Sequence, residues 1–189
     1  VALGTTALDA ITTGDDNTAI GYNALTALTT GSYNTIMGAL AGDAITTGDG
    51  NVIVGRNAGT AITTGGENIA FGMNALAAVS TASFNVGIGS AAGILVTGTG
   101  NTAVGHESMY AAVTGSHNVG LGRISLRALT SGTENTCLGY ASGDAITTGN
   151  YNVGVGSMSL SGNTTASNNT AVGYNALVAN TTGDENTAV

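Results

Sequence analysis

The chain has 189 residues, of which 31 are glycine and none is proline or tryptophan. Only 7% of its residues are charged, against roughly 25% in an ordinary globular domain, and its net charge of -8 with three basic residues, Arg56, Arg123 and Arg127, excludes the clustered-cation chemistry that binds nucleic acid or anionic membrane. At 42% hydrophobic the chain is too apolar for a solvated disordered polymer, yet no apolar run approaches the ~20 residues of a membrane span.

Asn17-Thr18-Ala19-Ile20-Gly21 sets the pattern, and the chain is a series of reprises of it. The leading asparagines are Asn17, Asn34, Asn51, Asn68, Asn85, Asn101, Asn118, Asn135, Asn152, Asn169 and Asn186; by subtraction every step is 17 residues except Asn85 to Asn101, which is 16. A fixed period this short is the signature of a solenoid. With the asparagine as position zero, position one is Thr, Val or Ile, and position three is large and apolar, from Ile20, Met37, Val54 and Phe71 to Val172. Side chains alternate along a strand, so positions one and three share a face. Beta-branched residues suit that pleated surface. Position four is glycine in every coil and marks a tight bend or a close backbone approach. Position seven is Ala or Ser, and position eight is mostly Leu or Gly.

A second apolar segment follows, as in Ala44-Ile45-Thr46-Thr47-Gly48 and Ala145-Ile146-Thr147-Thr148-Gly149. Thr and Ile favour a second short strand closed by glycine; a helical turn is the rival reading, and the segment is too short for a stable helix. A polar, variable corner closes each coil, as in Asp15-Asp16, Gly66-Glu67 and Asp184-Glu185. The expected fold is all-β, a parallel β-solenoid or β-roll of about eleven 17-residue coils with two short strands per coil. Residues 1–189 form one domain, with no linker or composition shift. The chain opens and stops within the repeat, at Val1-Ala2-Leu3-Gly4 and Asn186-Thr187-Ala188-Val189, and is expected to be a fragment of a longer array that grows end to end. The coil after Asn85 drops a residue before Gly98, and the coil after Asn152 carries Asn163 where Ile or Leu stands elsewhere.

The runs Asn17-Thr18-Ala19-Ile20-Gly21-Tyr22-Asn23-Ala24-Leu25 and Asn169-Thr170-Ala171-Val172-Gly173-Tyr174-Asn175-Ala176-Leu177 resemble the repeat region of phage tail-fibre-like proteins that carry a C-terminal self-cleaving chaperone. The pattern is also similar to the head repeats of trimeric autotransporter adhesins of the YadA type, where the motif has a shorter period. The resemblance implies a parallel β-roll, often trimeric, in an extracellular, cell-surface or virion fibre. It implies self-association as a parallel homotrimer or end-to-end filament, with a glycan or surface receptor as a further partner. The stalk coiled coil, membrane anchor and chaperone domain of those families are not in this sequence.

No constellation of catalytic residues is expected. His106 and Glu107 adjoin, but His117 sits at a different position and no third metal ligand has suitable spacing. Ser108 belongs to the Ala/Ser row and not to a nucleophile site. Calcium-binding β-roll repeats need a regular Asp in each turn, and here Asn holds the repeating place. Paired carboxylates flanking a groove, as in a carbohydrate-cleaving β-helix, are absent. The single Cys137 has no disulfide partner. Neither cofactor nor metal is expected. The asparagine column reads as a structural ladder of stacked amides. Arg56, Arg123, Tyr22, Tyr140 and Tyr174 fill a variable row after the strand glycine, where a binding function would sit on a rigid scaffold.

Two functions follow. The first is a structural fibre-shaft or filament protein, adhesin-like in setting. The second is an ice-binding or other surface-recognition solenoid that uses the Thr-Thr-Gly column, such as Thr29-Thr30 and Thr46-Thr47. The unbroken apolar column at position three is expected to be inside, so that Phe71→Asp would be severely destabilising. The small apolar column at position two, Ala19, Ile36, Ile53, Ala70, Ala103, Cys137 and Ala171, with glycines between, is then expected outside, as a seam between parallel chains.

Overall fold

The computed structural model describes all 189 residues. It is all-β and contains no helix, so no helix is long and apolar enough to cross a membrane. Twelve short strands form one parallel sheet: β1 (Ala2–Leu3), β2 (Thr18–Ile20), β3 (Thr35–Met37), β4 (Val52–Val54), β5 (Ile69–Phe71), β6 (Val86–Ile88), β7 (Thr102–Val104), β8 (Val119–Leu121), β9 (Thr136–Leu138), β10 (Val153–Val155), β11 (Thr170–Val172) and β12 (Thr187–Ala188). The sheet order is the chain order. Each strand pairs with its equivalent one coil on, as Thr35 with Val52, Ile36 with Ile53 and Met37 with Val54. The short coil keeps this register, with Val86 opposite Thr102. The chain is a β-solenoid of about 11 turns. At ~4.8 Å per coil the rod is on the order of 50 Å long.

Each coil holds one strand, not two. The segment after the glycine bend is a run of turns. Its residues recur in the left-handed region: Asn23 has φ 52° and Leu25 φ 54°, and Asn74 (58°) and Leu76 (49°) repeat the pattern. A third left-handed column lies at the corner, where Tyr33 has φ 61° and Phe84 φ 63°. Side chains at such angles cost about 1 kcal/mol or more each in isolation. Stacking offsets that cost, because the turns hydrogen-bond from coil to coil: the Leu25 amide donates to the Ala41 carbonyl at 3.1 Å and Thr46 to Thr63 at 2.9 Å. Of 115 backbone hydrogen bonds only 21 join strand residue to strand residue, and turn-to-turn bonds such as Leu25 to Ala41 and Gly59 to Ala75 recur from coil to coil, so the turns share in the stacking with the strands.

The sheet is also turned the other way from the expectation. Position two points in: Ala19, Ile36, Ile53, Ala70, Cys137 and Ala171 are 0% exposed and Ala103 is 1%. Positions one and three point out, with Met37 at 46%, Phe71 at 55% and Leu121 at 48%. The position-two column is therefore the floor of the core and not a seam between chains. Phe71 is a surface residue, and the expected burial of an unpaired charge by Phe71→Asp falls away with it. The interior explains the choice. It is a narrow slot lined by positions zero, two, seven, eight and eleven, such as Asn68, Ala70, Ala75, Leu76 and Val79. A full column of large side chains at position three would not fit beside these.

The slot is filled by compensation within each coil. Where position two is large, position eight is glycine: Ile36 with Gly42, Ile53 with Gly59, Cys137 with Gly143. Where position two is Ala or Gly, position eight is a long side chain: Ala19 with Leu25, Ala70 with Leu76, Gly154 with Leu160. A Cβ placed on Gly59 would lie 2.7 Å from Ile53 Cδ1, and one on Gly143 would lie 2.5 Å from Cys137 Sγ. The coil with Gly87 and Gly93 is filled from its neighbour, since Cβ atoms there would meet Leu76 at 2.7 and 2.8 Å. Interiors pack at crystal-like density, so each pair conserves volume.

Candidate functional site

Two internal ladders hold the rod and free its outer faces. The first is the asparagine column. Asn34 to Asn152 and Asn169 are buried to 1% exposure or less, and Asn17 is nearly so. In each step the side-chain oxygen of one Asn accepts from both the backbone and side-chain amides of the next. Asn51 N and Nδ2 donate to Asn34 Oδ1 at 3.0 and 3.1 Å, and Asn68 N and Nδ2 to Asn51 Oδ1 at 3.1 Å each. The same Nδ2 crosses the slot to the closing corner, as Asn118 to Gly132 O at 2.9 Å. The structural ladder read from the sequence is thus an actual hydrogen-bonded chain. At the short coil it thins: Asn101 N still donates to Asn85 Oδ1 at 2.9 Å, while its Nδ2 goes to Gly115 O. Asn163 is buried and satisfied, accepting from Ala166 N at 3.1 Å and donating to Asn152 Oδ1 at 3.3 Å.

The second ladder runs through the first threonine of each pair. Thr29 Oγ1 donates to Thr46 O at 3.0 Å, Thr130 to Thr147 O at 3.0 Å and Thr147 to Thr164 O at 3.0 Å. The second threonine, as Thr30, Thr47, Thr64 and Thr148, is exposed and leaves its hydroxyl to solvent. The Thr-Thr column therefore divides into one structural row and one surface row. The surface row lapses at Thr97-Gly98 and Thr114-Gly115, where the corner is one residue shorter.

His106 and His117 are both exposed. Glu107 does not combine with His106 into an acid–base pair; its carboxylate meets Arg127 Nε at 3.3 Å, one coil on. The Arg127 guanidinium also stands 5.7 Å from the Tyr110 ring centre, and Arg123 stands 5.8 Å from that of Tyr140. These are surface stacking contacts between adjacent coils. Ser108 is fully buried and its hydroxyl donates to Gly120 O at 2.9 Å. Ser125 and Ser142 do the same toward Cys137 O at 3.0 Å and Gly154 O at 3.2 Å. Cys137 is a core side chain, and burial pushes its thiol up to about 12, which keeps it protonated and unreactive at neutral pH.

Two carboxyl groups are less comfortable. Asp43 and Asp144 follow the position-eight glycines Gly42 and Gly143, and each has one buried oxygen, Oδ1, without a hydrogen-bond partner. Burial raises both above the ordinary value of 3.8, although backbone amides partly offset it. A raised carboxyl contributes stability that is fully present below its unfolded pKa and is lost as pH rises through its folded pKa. Going from below pH 3.8 to neutrality should therefore lower the melting temperature of the parent relative to an Asp43→Asn/Asp144→Asn variant. Parallel melting curves for the two proteins would run without convergence or divergence if these carboxyls were indifferent to folding.

What remains as a candidate site is the outer face of the sheet. Position three gives it an apolar column that includes Met37, Phe71 and Leu121, and position one a mixed column of Thr, Val and Ile, among them Thr35, Val52 and Ile69. It is bordered on one side by the variable row at position five, Tyr22 through Arg56 and Arg123 to Tyr174, and on the other by the corner row at position sixteen, Tyr33 through Phe84 to Tyr151. The named residues of both rows are exposed. The corner is legible in the sequence as polar and variable, but not as a border of this face; the signal for that is an aromatic or acid recurring just before the asparagine. No family model, curated protein or solved structure matches this chain.

Proposed function

We propose that the chain is a stiff shaft segment of an extracellular fibre or filament, in which copies associate as a parallel bundle or end to end. The observation that carries this reading is the continuity of the strand and asparagine ladders from coil to coil along the rod, supported by a threonine ladder that runs on either side of Ser80. Every coil is bonded to both neighbours at several points around its perimeter, which resists bending in every direction. Spin labels on Thr30→Cys and Thr182→Cys lie nine coils apart, so a stiff shaft gives a narrow distance distribution near ~43 Å. Labelled protein diluted with unlabelled protein reads that distance within one copy. A broad or markedly shorter distribution would overturn the shaft reading.

A second reading rests on the exposed hydroxyl row of Thr30, Thr47 and Thr64, whose spacing of ~4.8 Å could order water. That row is a single column, interrupted at the two short corners. A thermal-hysteresis assay decides it, and complete absence of activity removes ice binding.

A further inference from the structure

We propose that the rod has one built-in yield point, the contact between the coil of Asn68 and the coil of Asn85. It opens on the threonine face before any other contact between coils, while its sheet side stays closed as a hinge. The threonine face shows the break. Along the row that begins at Thr12, the backbone amide of each coil donates to a carbonyl of the next, as Thr46 to Thr63 at 2.9 Å, Thr63 to Ser80 at 2.9 Å and Thr97 to Val113 at 2.8 Å. The row runs on through Thr114, Thr130 and Thr147 to Thr164, which donates to Thr181 at 3.0 Å. The hydroxyls take the same path, with Thr63 to Ser80 O at 3.4 Å and Thr97 to Val113 O at 3.3 Å. In this row Ser80 alone donates neither its amide nor its hydroxyl to the next coil, and it is exposed. The Ser83 amide also lacks the side-chain acceptor that Ser32 finds in Asp49 at 2.7 Å and Gly66 finds in Ser83 at 3.1 Å. That second lapse recurs at Asp49 and Ser116; the two lapses coincide once.

Ala82 supplies the cause. The row that leads into the corner is glycine in every coil but two, where Ala82 and Ala166 stand. None of these glycines has a positive φ, so they are kept for room. A Cβ on Gly48, Gly65 or Gly132 would overlap the carbonyl oxygen of the equivalent residue one coil on. Ala82 carries that Cβ, and the Gly98 carbonyl beyond it has to stand off. The asparagine ladder registers the displacement. From Asn17 to Asn152 each Nδ2 crosses the slot to the carbonyl of this row in its own coil, at 2.8 to 3.1 Å, except at Asn85. Asn85 Nδ2 makes only longer bonds, 3.3 Å to Asn68 Oδ1 and 3.4 Å to Ser83 O. Asn169, which follows Ala166, loses the same tie. There the two corners are equal in length and Thr164 keeps its bonds to Thr181. At Ala82 a full-length corner also meets the shortened one at Gly98, and the threonine row parts.

The sheet side has no such gap. Strands β5 and β6 pair at all three positions, Ile69 with Val86, Ala70 with Gly87 and Phe71 with Ile88. Leu76 reaches out of its own coil into the hollow left by Gly87 and Gly93, where added Cβ atoms would meet it at 2.7 and 2.8 Å. The Ala78 and Gly100 amides close the two flanks of the gap, donating to Ile94 O at 2.9 Å and Ser83 O at 3.1 Å. Stability in a stacked array is set contact by contact, and a contact with fewer bonds on one side opens there first. An opening that leaves the strands and Leu76 in place cannot shift the register, so it closes again as it was. Its use rests on the shaft reading: a loaded shaft gives way at one place and recovers.

Native-state hydrogen exchange, read residue by residue and corrected for intrinsic rates, tests this. The Ala78 and Gly100 amides should exchange roughly tenfold faster than their equivalents Ala128, bonded to Asp144 O at 3.0 Å, and Tyr151, bonded to Thr133 O at 3.1 Å. On the hinge side Gly89, bonded to Phe71 O at 2.7 Å, should be as protected as Gly122, bonded to Val104 O at 2.7 Å. Ala82→Gly should slow Ala78 and Gly100 to the rates of those equivalents and protect the Ser80 amide, although alanine to glycine ordinarily loosens a chain. Equal rates at Ala78 and Ala128 in the parent overturn the proposal. Exchange at Gly89 as fast as at Ala78 overturns it in favour of whole-coil opening. Unchanged rates in Ala82→Gly overturn it as well. The Thr30–Thr182 spin-label distance, measured on the parent at rest, decides the shaft reading separately. A narrow distance with uniform exchange leaves a shaft without a yield point; a broad distance overturns the shaft reading whatever the exchange shows.

Discussion

Replacing Asn135 by alanine should destabilise the rod by about 3–5 kcal/mol, far more than the loss of one ordinary hydrogen bond. Asn135 Oδ1 accepts from Asn152 N at 3.0 Å and from Asn152 Nδ2 at 2.9 Å. Its own Nδ2 donates to Asn118 Oδ1 at 3.0 Å, Gly149 O at 2.8 Å and Thr133 O at 3.2 Å. Alanine removes all of these together. It strands the buried Asn152 amide, and an unsatisfied buried donor costs about 1–3 kcal/mol by itself. It also opens a void between the strand and the Gly149 corner. Neighbouring coils supply the stability of a repeat protein, so a break here weakens the coupling between the two halves of the rod. Urea denaturation should show an earlier midpoint, with a broadened or divided transition. Asn135→Asp sharpens the test. The carboxylate keeps the acceptor but loses the donors and faces the acceptors Asn118 Oδ1 and Gly149 O. It should be as damaging as alanine at neutral pH and recover in acid, where the carboxyl is protonated; the alanine variant should show no such recovery. Denaturation midpoints within the error of the parent would remove the asparagine ladder from the account of stability.

Much of this architecture was legible because the repeat is strict. The period fixed the coil, and positions one to three of each repeat are the strands that form, from Thr18–Ile20 to Thr170–Val172. The asparagine column was readable because a stacked amide has one obvious partner, its own copy a coil away. The side of the sheet that faces inward was not read correctly. Alternation says that positions one and three share a face; it does not say which face is dry. The large apolar column drew the inference toward position three, whereas position zero and position two share the other face, and the buried ladder of Asn takes position two inward with it. A second signal was present in the volume exchange between Ile53 and Gly59, or Ala70 and Leu76, which only residues packed against each other need. The second strand failed for a different reason. Leu25, Leu76 and Leu126 sit at φ 54°, 49° and 51°, where leucine has no local reason to be. Stacking overrides propensity there, and a single coil read alone cannot reveal it. The outer face became visible as a candidate site once the sheet was turned, because its apolar position-three column had been assigned to the core.

Gly72→Ala should be among the most damaging single substitutions in the chain, with a loss of about 4 kcal/mol or more. Gly72 ends β5 at φ +134°, a backbone conformation that a side chain disfavours. An alanine Cβ there would lie 2.5 Å from the Gly89 carbonyl oxygen, 2.6 Å from its carbon and 3.1 Å from Ser90 N. All three atoms are backbone, so no rotamer change relieves the contact. Relief requires the two coils to separate, and the strand pairing of Ile69 with Val86 and Phe71 with Ile88 lies immediately beside the clash. The same contact recurs at Gly21, Gly38 and Gly55 against the glycine of the next coil, which is why position four tolerates nothing else. Gly50 gives the comparison. It has φ +67°, and the nearest atom to an added Cβ is Glu67 Cγ at 3.4 Å, an ordinary contact. Gly50→Ala therefore carries a backbone term alone, about 1–2 kcal/mol, while Gly72→Ala carries a backbone term and the clash. Equilibrium denaturation of the two variants beside the parent should show the larger loss for Gly72→Ala. Equal losses at the two sites would mean that backbone conformation, and not the approach of successive coils, keeps glycine at the end of every strand.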